Sequence, residues 1–147
     1  MKLIIISGPT GSGKTTLSAK ILREVSDGII LSTDNYYKTG LESKVLSKLF
    51  NNYFDRKISL NYNLLRKDFN FIVNTSTSNH SYLYDFNKKN RKKVFHEKRN
   101  IKFLIIEGIF AKDLIKEFYK LNCFFIELKK NKLSCMNRAI KRDVRER

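Results

Sequence analysis

Cysteine is scarce in this chain, and the two present, Cys123 and Cys135, form neither a CxxC pair nor the even framework of a small secreted domain. That excludes a disulfide-stapled scaffold and points to a reducing compartment, the cytosol or an organelle stroma. Cys123 is expected as a small hydrophobe in a buried strand. Proline occurs once and glycine six times, so long regular elements with few forced turns are expected. Long apolar runs are also missing. The N-terminal "MKLIIISG" is too short for a signal peptide or a membrane span. Acidic residues are few, 14 against 30 Lys and Arg, for a formal net charge of +16. Such a surplus invites a nucleic-acid reading. The plainer alternative is a solvated surface in a chain whose Asn, Ile and Lys content suits an AT-rich gene. With no recognised binding module around "KKNRKKVFHEKR" (88–99), the nucleic-acid reading ranks last.

What is present suits one globular domain over residues 1–147: 41% hydrophobic residues, 7 Tyr and 11 Phe. "KLIIIS" (2–7), "GIILS" (28–32), "KFLIIEG" (102–108) and "CFFIEL" (123–128) read as buried strands. Helical spacing recurs over 14–26, 41–51 and 61–73, the last with Asn61 as N-cap. A helix is also expected after the strand 102–108, through about Tyr119, and a final one from about 131 to 147, with Leu133, Met136, Ile140 and Val144 on one side and Ile140 and Val144 facing the core. The polar, basic segment 74–100 reads as an irregular loop with one short strand near Val94. Strands alternating with helices give an α/β fold with a parallel sheet flanked by helices.

The strongest signal is Gly8-Pro9-Thr10-Gly11-Ser12-Gly13-Lys14-Thr15, followed by Thr16, between a predicted strand and a predicted helix. It satisfies G-x-x-x-x-G-K-[ST], the phosphate loop of P-loop NTPases. Glycines let successive N–H groups curl around an anion, and the helix N-terminus adds positive potential. Lys14 then reaches the β- and γ-phosphates and the Thr15 hydroxyl ligates Mg²⁺. Asp34 in "LSTDNYYK" follows the second strand, where open α/β sheets place ligands. There it can take a proton from an attacking hydroxyl and stand near the metal, or merely cap a turn. Glu107 in "LIIEGIF" ends a strand, and can hold the metal or its water or be a surface glutamate.

Taken in order along nearly the whole chain, "GPTGSGKTT", "LSTDNYYK", "NYFD", "YDFNKKNR", "IIEGIFA" and "RAIKRDVRER" resemble the uridine/cytidine kinase family of the phosphoribulokinase-like group. The resemblance implies transfer of the γ-phosphate of ATP or GTP, with Mg²⁺, to the 5′-hydroxyl of uridine or cytidine. It implies Asp34 as base for that hydroxyl and Tyr36 or Tyr37 in the pocket. Asp55 would serve the ribose hydroxyls, Tyr84 and Phe86 the pyrimidine ring, Arg91 that loop or the ligand, and Glu107 the metal. Arg138 and Arg142 match lid arginines that close over the transferring phosphate. Their plainer alternative is surface pairing with Asp143 or Glu146. Three departures stand out: Lys89 where the family has histidine, Arg56-Lys57 where it commonly has His-Pro, and Cys135 where it has arginine. Family members also continue beyond the point matching Arg147, so the lid reads as cut short. The alternatives are another phosphoribulokinase-like small-molecule kinase and a non-catalytic nucleotide-binding remnant. A homo-oligomer is compatible with all of these.

Overall fold

The computed structural model describes residues 1–114, 122–129, 131, 133–138 and 140. Four parallel strands, β1 (Lys2–Ser7), β2 (Gly28–Ser32), β5 (Phe103–Gly108) and β6 (Cys123–Glu127), form one sheet in the order β2-β5-β1-β6. Between them run three helices, α1 (Lys14–Glu24), α2 (Gly40–Leu49) and α3 (Tyr62–Thr75), and an antiparallel hairpin of β3 (Ser78–Asp85) and β4 (Asn90–Lys98). The β-branched runs behave as their composition demands. Leu3, Ile5, Leu31, Leu104 and Ile106 share one buried cluster with Leu65, Phe69 and Ile72 of α3. Ile6 and Ile105, of opposite parity, are wholly buried as well. A strand covered on both faces needs no polar alternation. Truncating such a residue, Leu104→Ala for example, costs about 2–5 kcal/mol.

Register brings the chemistry to one level. Ser7 pairs with Gly108 and Glu127, and both Ile6 and Ser32 pair with Glu107. The phosphate loop therefore leaves β1 beside Glu107, and the turn after β2 begins on Glu107's other side. Asn61 caps α3 as expected, its Oδ1 accepting from the Leu64 N–H at 3.1 Å.

Three expectations fail, and a fourth falls mostly outside the described residues. In residues 74–100 the strand expected near Val94 is present within β4, but the rest is no irregular loop, because His80, Tyr82 and Tyr84 alternate onto one face of a hairpin that packs on the body of the protein. After β5 the described residues form only a short 3-10 helix, Ala111–Leu114; the rest of the helix expected through Tyr119 lies outside the described residues. Cys123 is half-buried, since β6 is an edge strand whose Phe124 and Phe125 are exposed. In the last helix, residues 133–138 and 140 are helical, yet Leu133, Met136 and Ile140 are exposed and Cys135 is the buried one. The helix approaches the body through its Cys135 backbone, which passes so close to Gly11 that a Cβ there would lie 2.2 Å from the Cys135 carbonyl oxygen. Val144 lies outside the described residues.

Candidate active site

The phosphate loop takes a shape that its glycines permit. Gly11 and Gly13 have φ of 77° and 98°, in the left-handed region that residues with a Cβ avoid. Ser12 N–H closes the curl on the Pro9 carbonyl at 3.1 Å. Gly13 caps α1 with no side-chain cap bond, and no acidic residue stands in the first turn. The leading amides and the positive end of the helix dipole are thereby left for an anion. Lys14 is buried, its Nζ donating to the Pro9 carbonyl at 3.0 Å across the loop, while Thr15 and Thr16 are exposed at the helix start.

Glu107 is only 2% exposed, which excludes a surface role. Its Oε1 accepts from the Ser32 hydroxyl at 2.6 Å and from Thr15 at 3.4 Å. Burial pushes its carboxyl above the ordinary range. The Ser32 bond opposes that, the Asp34 charge adds to it, and Lys14 and Thr15 pull it back. Its Oε2 is buried and has no hydrogen-bond partner. A buried carboxylate oxygen with unmet bonding capacity beside a threonine hydroxyl suits a hard divalent cation. Among the described residues there is no group of three or more His, Cys, Asp or Glu that could cage a metal alone.

Asp34 lies in the 3-10 turn Thr33–Tyr36 that follows β2. The Tyr37 hydroxyl is 3.5 Å from Asp34 Oδ1 and 3.0 Å from the Phe54 carbonyl oxygen. Having one proton, it bonds the nearer Phe54 oxygen and leaves Asp34 a long contact. Burial, and then the Asp34 charge, holds the Tyr37 phenol far above its ordinary range, so it stays neutral.

The aromatics form one cluster over this turn. Tyr37, Phe54, Tyr84 and Phe86 stand edge to face with ring centroids 5.1–6.0 Å apart. Tyr84 ties the hairpin to the turn through both polar groups, its N–H to Asn35 Oδ1 at 3.1 Å and its hydroxyl to the Lys38 carbonyl at 2.9 Å. Arg91 donates to the Tyr37 carbonyl at 3.3 Å and lies over the Tyr82 ring. Of the two candidate pocket tyrosines, Tyr37 belongs to the cluster. Tyr36 turns away and donates to Asp68 at 2.9 Å. Asp55 is exposed at the end of the 3-10 helix Tyr53–Asp55, near enough for its charge to act on Tyr37.

Lys89, in the hairpin turn, donates to Ser47 of α2 at 2.5 Å. Arg138 is exposed on the last helix, and Arg142 lies outside the described residues with Asp143 and Glu146. Sequence reasoning missed Ser32 and Asn35, both beside motif residues, and Asp68, whose only signal is a carboxylate in the apolar stripe of α3. A cleft of about 400 Å³ borders the phosphate loop, lined in part by Gly8, Pro9, Lys112 and Lys129. A larger one, of about 890 Å³, lies at the other end of the sheet around Lys2, Asp27 and Lys102, far from this chemistry.

A parallel sheet with a phosphate loop at the end of an inner strand, and a buried carboxylate on the next, is the arrangement of a P-loop NTPase. The model of the phosphoribulokinase/uridine kinase family matches residues 3–147, and the chain belongs to that family. It is 29% identical over 150 residues to the uridine kinase of Ureaplasma parvum serovar 3, covering 99% of this chain and 70% of that protein. Two solved structures share the fold: a provisionally assigned fructose transport system kinase from Silicibacter sp. TM1040 and a provisionally assigned uridine kinase from Bacillus stearothermophilus. The first has a TM-score of 0.75 and 17% identity over 99% of this chain and 73% of that one. The second has 0.65 and 19% over 97% and 79%. At such identities they speak for the fold alone.

Proposed function

We propose that the chain is a nucleoside kinase, transferring the γ-phosphoryl group of ATP or GTP to the 5′-hydroxyl of uridine or cytidine. The observation that carries this reading is the acceptor side: Asp34 stands under an aromatic cluster, across Glu107 from the phosphate loop. The flat face of a pyrimidine ring suits the cluster, and a hydroxyl it delivers would meet Asp34 as proton acceptor. The loop amides and Lys14 hold the β- and γ-phosphates. Thr15 and Glu107, with Asp34 close by, would hold Mg²⁺, which when bound neutralises charge on the transferring group. Arg138 is assigned to the lid over that group, as is Arg142, which lies outside the described residues. Tyr37, Tyr84 and Phe86 receive the base, Asp55 the ribose, and Arg91 steadies the hairpin. Tyr36 is left out of the pocket. Catalysis is then positioning and charge neutralisation. Membership of one domain, and work in the cytoplasm or an organelle stroma, belong to the same reading.

Purified protein with Mg-ATP and uridine or cytidine is expected to yield the nucleoside monophosphate. Folded, ATP-binding protein that phosphorylates no nucleoside sinks the reading.

A second reading has one observation in its favour. Lys89 occupies the place of a histidine on the base side of relatives, and it is bonded to Ser47. A phosphoribulokinase-like kinase for another small alcohol would need no base-edge contact, and a panel of nucleosides, sugars and sugar phosphates separates the two.

A further inference from the structure

Three of the four side chains in the turn Thr33-Asp34-Asn35-Tyr36 anchor it. Thr33 is wholly buried against Gly108, where an added Cβ would fall 1.7 Å from Thr33 Oγ1. Asn35 Oδ1 accepts from the Tyr84 N–H, fastening the turn to β3. Tyr36, 2% exposed, runs inward and donates to Asp68 Oδ2. Asp34 is the fourth, and its charge acts on Glu107.

Asp68 is the anomalous member. It is 8% exposed, and its neighbours on α3, Leu65, Phe69 and Ile72, belong to the apolar core. Burying a carboxylate is costly unless it is paired. Besides the Tyr36 hydroxyl it faces His80 of β3, whose Nε2 stands 3.4 Å from Oδ2 without a formed hydrogen bond. Tyr82 stands edge-on to both Tyr36, at 5.5 Å, and His80, at 5.1 Å, with Arg91 of β4 over its outer face. For stability alone, a phenylalanine and a leucine in place of Tyr36 and Asp68 would serve as well or better. What a directional bond adds is a fixed geometry, and the element fixed is the one that carries Asp34.

We propose that Asp68 is a positioning residue: by holding Tyr36 from α3 and facing His80 from β3, it sets the acceptor turn and the hairpin in one frame, with Asp34 presented to the substrate hydroxyl. The proposal rests on Asp34 as the acceptor-side carboxylate, and it adds a residue that touches neither substrate.

The test uses Asp68→Ala, Asp68→Asn and Tyr36→Phe in the full chain. Asp68→Ala and Tyr36→Phe are each expected to lower kcat for the nucleoside about tenfold, since small misplacements at a reacting centre are costly, and to leave KM for ATP unchanged. The double variant should lose no more than the worse single one, as expected of partners in one bond. Asp68→Asn, which still accepts from the Tyr36 hydroxyl, should recover most of the rate. Amide hydrogen exchange supplies a readout independent of substrate. In Asp68→Ala, residues 33–38 should exchange faster while β5 stays protected. Unchanged protection of 33–38, or a rate loss that merely tracks the fraction of folded protein, overturns the proposal. If the wild type phosphorylates no nucleoside but the exchange result holds, the substrate reading falls and the positioning role stands.

Discussion

The phosphate loop and the acceptor turn stand on either side of Glu107, yet they are held by different means. Residues 8–15 are shaped by backbone: left-handed glycines, one N–H to carbonyl closure, and the start of a helix. The turn 33–36 is held by its own side chains, Thr33 against Gly108 of β5, Tyr36 on Asp68 of α3 and Asn35 on the Tyr84 N–H of the hairpin. A site made of main chain is encoded within a few consecutive residues and tolerates change elsewhere. One made of side chains is encoded across the sequence, so substitutions far from the chemistry can move it.

Paired substitutions at the reacting centre break the comparison most sharply. Lys14→Ala removes a charge from the phosphate side, and turnover is expected to fall about 100- to 1,000-fold with ATP binding weakened as well. Asp34→Asn should cost about 100-fold or more in kcat while ATP affinity, read by calorimetry or thermal shift, is kept. Equal loss of ATP binding in both would show that the two sides are not separate.

A smaller effect is expected at their seam. Gly108 has φ of 148° and leaves no room beside Thr33. Gly108→Ala should lower the free energy of unfolding in urea by about 1–3 kcal/mol, and among the molecules still folded it should raise nucleoside KM more than ATP KM.

The smallest effect is a slope. Burial raises the Glu107 carboxyl above its unfolded value, so the folded state binds that proton more tightly. The stability of the ligand-free protein should therefore decline as pH rises from the ordinary carboxyl range through the raised one. Glu107→Gln should flatten that decline in thermal melts, and a wild-type curve that climbs across the same interval would contradict the assignment.

This division also explains what could be read beforehand. The four sheet strands, the loop and the Asn61 cap are local patterns of period, glycine and capping oxygen. The hairpin was misread because its apolar positions are few. It is held by Tyr84, bonded to a turn some fifty residues away, although His80, Tyr82 and Tyr84 do alternate. Tyr36 and Tyr37 could not be told apart by type or spacing. Their division depends on Asp68 and Phe54, which meet them only after folding. The last helix was turned the wrong way because its approach to the body is through main chain at Gly11, which leaves no hydrophobic signature.

The strand order sets a timetable. β1 lies between β5 and β6, and β2 borders β5, so the earliest two strands of the sheet find their partners about a hundred and about seventy-five residues later. Emerging from a ribosome, the phosphate loop would have no sheet to leave from until residues 103–108 arrive, and the apolar runs of β1 and β2 would meanwhile wait unpaired. Such long-range parallel pairing is slow and exposed to aggregation. During that interval a large positive charge, whatever its use in the finished protein, keeps the unfinished chains apart.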